Sequence, residues 1–367
     1  MKASRRLLAA AGVALVASAA AAAALAATHV GPSPALVAAA KDEGKLNTIA
    51  LPPDWANYGE IMSAFQSKYG IKITNANPNG SSADENQAVV SLKGQSRAPD
   101  AVDDGPAFAI DGAKKGLWAP YKVSTWSTIP ANMKDPQGRW VGDYYGVIAF
   151  GVNTKVVKDV PKTWSDLLKP EYKNMIALNG DPRTAGAALG AVFAAALGNG
   201  GSASNVQKGI DFFAKLKQVG NFVPVDATPS TIASGQTPIT IDWDYLQLGY
   251  KKEVAKQGIT WQVVVPSTGV YGAFYAQAIN ATGPNPNAAK LWEEFLYSDQ
   301  GQLLFLKGGA HPVRFQDLAA HHKIPAAMLK ALPPASAYKS VKFASDAQQT
   351  KAKNLVAAQW GSKVAGS

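Results

Sequence analysis

Two long apolar tracts of β character, YYGVIAFGVNTKVV at 144–157 and GVYGAFYAQAINAT at 269–282, constrain this chain more than any other feature. Before the first tract, and again between the two, short strand-like and helix-like segments alternate, which is the pattern of βαβ units. Only these tracts are long and extended enough to connect one α/β unit to the other. A double crossing makes a hinge. The expected fold is therefore α/β, with two Rossmann-like lobes joined by two hinge strands.

In the first unit, KLNTIALP reads as a strand, NYGEIMSAFQSKYG as a helix with Ile61, Phe65 and Tyr69 on one face, and IKITNA as a second strand. Gly70 is placed to cap that helix, Ser81 or Ser82 opens the next, and PDAVDD is a short buried strand. The second unit holds the strand KNMIALNG, an alanine-rich helix from Thr184, the helix VQKGIDFFAKLKQVG, and the strands PITIDW and WQVVVP. Beyond the second tract, amphipathic helices are expected to pack on the lobes, with Trp292, Phe295, Leu303 and Phe305 as core positions.

The chain has 367 residues, more than one hydrophobic core usually serves. The reading is a secretory signal over 1–27, lobe one over 28–148 with 276–310, lobe two over 149–275, and a C-terminal helical segment over 311–367. The signal follows from Lys2, Arg5 and Arg6 ahead of an unbroken small-apolar stretch that ends at Ala26-Ala27. Those three basic residues leave with the signal, so the remainder keeps +7 of the formal +10 charge. Lysines scattered among acids along helices are a solvated face, and nucleic acid is not an expected partner. Absence of cysteine excludes a thiol nucleophile, a disulfide framework and a lipidated N-terminal cysteine. A soluble exported chain without an anchor is expected in the periplasm.

Ligands of open α/β sheets meet the loops at the carboxyl ends of strands, and two facing lobes turn those loops into a cleft. In lobe one these are PPDWANY, NPNGSSAD and DDGPAF; in lobe two, NGDPRTAG and DWDYLQ. The candidate ligand-binding set is Asp54, Trp55, Asn57, Ser81, Ser82, Asp104, Arg183, Thr184, Asp242, Trp243, Asp244, Tyr271 and Tyr275. Arg183 and Thr184 stand where a strand hands over to a helix, a place that favours an anion unless Asp181 or Thr184 merely caps the helix and Arg183 pairs with an acid. Against this, Asp54, Asp103, Asp104, Asp242 and Asp244, interleaved with Trp55, Trp243 and Tyr245, suit an ammonium group through charge-assisted hydrogen bonds and cation–π contact. Both readings stay open.

No G-x-S-x-G elbow, H-E-x-x-H or phosphate loop is present, so catalysis, a cofactor and a bound catalytic metal are not expected. His321-His322 lies in a tail rich in Ala and Lys, where a surface role is the simpler reading.

The segments IALPPDWANYGEIMSAFQSKYGIKI, PDAVDDGPAFAIDGAKKGLWAPY, VPKTWSDLLKPEYKNMIAL and NPNAAKLWEEFLYSDQGQLLFLKGG, in this order, resemble the periplasmic solute-binding proteins of ABC importers. The branch is that of the ferric-ion, polyamine, thiamine and phosphate-ester binders, with TWSDLLKPEYKN as its most telling piece. The resemblance implies a type II bilobal fold, C-terminal helices packed on the lobes, capture of one small solute by a monomer, delivery to an ABC permease in the inner membrane, and no chemistry. It leaves a polyamine or zwitterion and a phosphorylated or phosphonate compound as ligands, with ferric ion or a sensing role as alternatives. Ferric binders carry adjacent tyrosines in lobe two; here the only such pair, Tyr144-Tyr145, precedes the first hinge strand, and no His falls in a cleft loop. Where polyamine binders tend to place an acid on the second hinge segment, this chain has Tyr275.

Overall fold

The structure is a computed structural model that describes residues 31–332 and 340–365. The expected signal over 1–27 lies outside the described residues. Among the described residues no helix is long and apolar enough to cross a membrane.

After helix α1 (Pro34–Glu43), strand β1 (Lys45–Ile49), helix α2 (Tyr58–Tyr69) and strand β2 (Lys72–Ala76) form a right-sized βαβ unit, with β1 and β2 paired in parallel. The buried residues of α2 are Tyr58, Ile61, Phe65 and Tyr69, a stripe at helical spacing, and Gly70 closes it at φ 73°. Helix α3 (Ser82–Ser91) opens on a capping box in which Ser81 and Asp84 satisfy each other's backbone amides. Strand β3 (Ala101–Asp104) and helix α4 (Pro106–Lys114) follow, then the short strand β4 (Trp118–Ala119).

Strand β5 (Val141–Asn153) is the spine of the molecule. Its first half pairs with β9 (Gly272–Asn280), from Val141↔Gln277 to Val147↔Gly272. From Ile148 onward it pairs instead with β7 (Ile239–Trp243) and β8 (Trp261–Val264). The change of partner falls between Val147 and Ile148. The eight-stranded sheet runs β3-β9-β5-β7-β6, with β6 (Ile176–Leu178) parallel to β7.

Several expectations are corrected here. Parallel pairing holds for β1/β2 and β6/β7, but β3 lies antiparallel against β9, because the returning hinge strand occupies its open edge. Residues 311–312 are not helical: His311–Pro312 forms strand β10 against Tyr145 and Tyr144 of β5. Leu303 is only half-buried, whereas Trp292, Phe295 and Phe305 are fully buried.

In lobe two, helix α5 (Gly186–Gly198) is buried from Ala187 to Ala196, as an apolar surface on every side requires. Helix α6 (Gln207–Gln218), the short α7 (Pro229–Ala233) and α8 (Asp244–Ala255) complete that lobe. On lobe one, α9 (Pro286–Leu296) and α10 (Asp299–Lys307) bring Trp292 and Phe295 edge-on to Phe65, with ring centroids 5.3 and 5.7 Å away. After α11 (Phe315–Ala320) and α12 (Ala326–Ala331), helix α13 (Asp346–Trp360) bridges the lobes. Lys353 binds Asp111 of α4 at 2.8 Å, and the Trp360 ring meets Phe213 of α6 at 5.4 Å.

Candidate functional site

Between the lobes lies a cleft of about 740 Å³. Lobe one contributes Ala50 to Trp55 from the end of β1, Asn79 to Glu85 from the start of α3, and Asp103 from β3. Lobe two contributes Asn179 to Asp181 and Thr184 to Ala187 after β6, Asp226 to Ser230 at the start of α7, and Leu246, Tyr250 and Glu253 from one face of α8. Tyr275 lies on the β9 floor. The lobes meet above it: the amide of Ala83 donates to the Thr184 carbonyl at 3.2 Å.

Six of the expected residues are brought together here: Asp54, Trp55, Ser81, Ser82, Thr184 and Tyr275. Trp55 holds its place by donating from Nε1 to the Tyr144 hydroxyl at 2.7 Å, and its ring stands edge-on to Tyr275 at 5.4 Å. Ser81 is the helix cap described above, and Ser82 Oγ accepts the Gly105 amide at 3.0 Å.

The other seven lie elsewhere. Asn57 turns away, donating to Glu60 and to the Leu304 carbonyl. Arg183 is exposed and forks onto its neighbour Asp181, with Nη2 2.6 Å from Oδ2. Tyr271 precedes β9, stacks on Phe193 at 4.7 Å and accepts from Gln349, so it faces α5 and α13 rather than the cleft. Trp243 is buried against Gly190, and Asp244 is buried beside Gly146, where it accepts the Val147 amide at 3.1 Å. Asp242 sits directly behind the lining: Asn179 Nδ2 and the Tyr250 hydroxyl, both cleft residues, donate to its Oδ2 at 2.8 and 3.0 Å. Burial pushes its carboxyl up to about 7. Asp104, the last residue of β3, is fully buried, with neither carboxylate oxygen hydrogen-bonded.

Lining residues outside the candidate set are Glu85, Asp103, Asn179, Asp226, Thr228, Tyr250 and Glu253 among others. Thr228 followed by Pro229 is a legible helix start, and the structure shows its capping box with Thr231. Glu85 carries no such local signal, whereas Asp103 belongs to the acid-rich set read from the sequence. Glu85 Oε2 accepts the Asp103 amide at 2.8 Å. Asp103 Oδ2 is reached by the hydroxyls of Tyr58 and Tyr144 at 2.8 and 2.9 Å, while Tyr58 also stands 3.0 Å from Asp143 Oδ2. One phenol proton thus serves two carboxylates. Burial pushes Asp103 up to about 7, and burial with the neighbouring acids holds Glu85 and Asp143 well above the usual carboxylate range.

The titratable lining of the cleft is acidic. Asp54, Asp84, Glu85, Asp103, Asp181, Asp226 and Glu253 line it, and among the described residues no Lys, Arg or His does, Arg183 standing outside the lining on Asp181.

The profile of a bacterial extracellular solute-binding protein family matches residues 106–344. The chain belongs to this family. A solute-binding protein of this kind binds a small ligand and serves an ABC permease. An uncharacterized protein of Haemophilus influenzae is 29% identical over 265 residues, covering 67% of this chain and 71% of that one. Among solved structures, the periplasmic binding protein AfuA from Actinobacillus pleuropneumoniae, with fructose-6-phosphate bound, superposes with a TM-score of 0.71 at 19% identity, over 88% of this solute-binding protein and 99% of AfuA. Iron-bound HitA from Pseudomonas aeruginosa gives 0.65 at 19% identity, over 86% and 99%. At such identities the likeness speaks for the type II periplasmic binding fold.

Proposed function

We propose that this protein captures a small cationic solute, an amine of the polyamine or amino-acid-like class, in the periplasm and hands it as a monomer to a permease of the inner membrane. One observation carries the reading: seven acidic side chains and, among the described residues, no basic one line the cleft of a chain whose overall formal charge is +10. A concave site of one sign concentrates ligands of the other and repels a phosphate ester. Trp55, Tyr250 and Tyr275 add aromatic faces, each worth about 0.5–2 kcal/mol to a desolvated ammonium. The first turn of α5 at Gly186 also borders the cleft, which suits the carboxylate of a zwitterion. The lobe ranges given above, with Val147/Ile148 as one hinge point, belong to the same proposal.

Closure about the two hinge strands would trap the solute, driven by its tighter binding to the closed form. A thermal-shift panel of putrescine, spermidine, basic amino acids, phosphonates, sugar phosphates and ferric citrate tests the reading. Amines are expected to raise the melting temperature in a saturable way, since a ligand that binds only the folded state stabilises it by mass action. Stabilisation by a sugar phosphate, with the amines inert, overturns it.

A further inference from the structure

The carboxylates on the lobe-one wall of the cleft are not equivalent. Asp54 and Asp84 reach solvent, but Glu85 is 2% exposed and Asp103 4% exposed, although both line the cleft. Their Oδ2 and Oε2 atoms are committed to protein donors, whereas Asp103 Oδ1 is buried with no hydrogen-bond partner in the protein. Resting on the amine reading above, we propose that Glu85 and Asp103 together seat the ligand's ammonium group, and that the ammonium enters in exchange for a proton which the pair holds when the cleft is empty.

The surroundings make the exchange necessary. The groups that face this pair are acidic or neutral on nearly every side: Asp84 on α3, Asp104 on β3, Tyr58 on α2, Asp143 and Tyr144 on β5, Tyr275 and Gln277 on β9, and Tyr245 on α8. The cation acting on this cluster is Lys353, which is spent on Asp111 and lies over the Phe108 ring at 4.3 Å. Several buried negative charges without a countercharge are too costly to persist, so protons neutralise them. An ammonium group, with its own positive charge and three donors, can satisfy Asp103 Oδ1 and Glu85 together. One carboxyl O–H bond breaks, its proton goes to bulk water, and the charge of the buried site is unchanged.

Calorimetric titration of the mature protein with spermidine or putrescine, in buffers of different ionisation enthalpy at a pH near 6.5, counts the protons released, and its repetition from about pH 5 to 8 gives the pH slope of affinity. The expected result is release approaching about one proton per amine bound, with affinity rising about tenfold per pH unit while the pair stays protonated and levelling once it is ionised. Asp103→Asn and Glu85→Gln, each checked for a native thermal melt, are expected to lose at least about tenfold in affinity and to abolish the release. Glu85→Gln keeps an acceptor for the Asp103 amide, so it serves if Asp103→Asn does not fold. Amine binding with no proton released overturns the proposal while leaving the cationic cleft intact. So does release that survives both substitutions. If no amine binds at all, the reading of the cleft falls and this seat falls with it.

Discussion

Gly105, which caps α4 on lobe one, and Gly186, which opens α5 on lobe two, stand with their backbones in contact: a Cβ built on either would lie 2.9–3.0 Å from the Cα of the other. Nothing but hydrogen fits between them. Here the two lobes touch through backbone alone. Gly105 has φ −56°, a conformation open to any residue, so what glycine supplies here is proximity rather than backbone freedom.

Gly105→Ala and Gly186→Ala are accordingly expected to prop the lobes apart. The obstructing atoms are backbone, which cannot rotate aside as a flexible side chain would. Small-angle scattering should show a larger radius of gyration for the variants in the presence of a stabilising amine, and affinity should fall by about tenfold, or ~1.4 kcal/mol. Unchanged scattering and affinity would mean that the lobes do not close through this contact.

Asp242 separates a structural acid from a ligand-binding one. Asp242→Ala strips the acceptor from Asn179 and Tyr250 and is expected to cost about 1–3 kcal/mol of stability. Its pH dependence has a definite sign. The folded carboxyl titrates near 7 against an ordinary value of 3.8, so between those values the native state holds a proton that the unfolded chain has shed, and this group's contribution to stability falls as pH rises. Asp242→Asn removes that titration. Denaturant melts should therefore show the Asn variant gaining on the parent by up to about 1.4 kcal/mol per pH unit from pH 4 to 7, then running parallel to it. A difference independent of pH would show that Asp242 is ionised in the native protein.

Arg183 pairs with Asp181 at the surface, and its Nη1 lies 3.2 Å from where a Cβ on Gly361 would stand, near the end of α13. Such exposed pairs are worth under ~1 kcal/mol. Arg183→Ala should leave the melting curve nearly in place and, by releasing the Asp181 carboxylate to the cleft, should not weaken amine binding. A tenfold loss of affinity on titration would restore this arginine to the site.

Trp360 and Lys353 test the strap across the back of the lobes. Trp360 is 3% exposed against Phe213, so Trp360→Ala should cost about 3–5 kcal/mol and lower the melting temperature markedly. Lys353→Ala, which loses one partly exposed ion pair and a ring contact, should cost much less. A larger loss for Lys353→Ala than for Trp360→Ala would mean that α13 is held chiefly by its lobe-one end.

What the amino-acid order decided by itself is the local structure. The α2 stripe, Gly70, the Ser81 cap, the all-apolar α5 and the two hinge tracts are each written in a few neighbouring residues, because helix periodicity, caps and turns are satisfied within one or two turns of chain. The loops that meet at the cleft were legible too, since they follow from strand and helix order. Which side chain in a loop faces the ligand was not. Asp242, Trp243 and Asp244 are adjacent in a loop placed at the cleft, yet all three are buried behind it, while Glu85 and Glu253, which no local signal marks, line it. Tertiary packing alone made that choice, because burial, the distance between like charges and the presence or absence of a countercharge are set by residues far apart in sequence. The preference for a cation rests on those three quantities, so the sign of the cleft emerged only once the lobes were folded against each other.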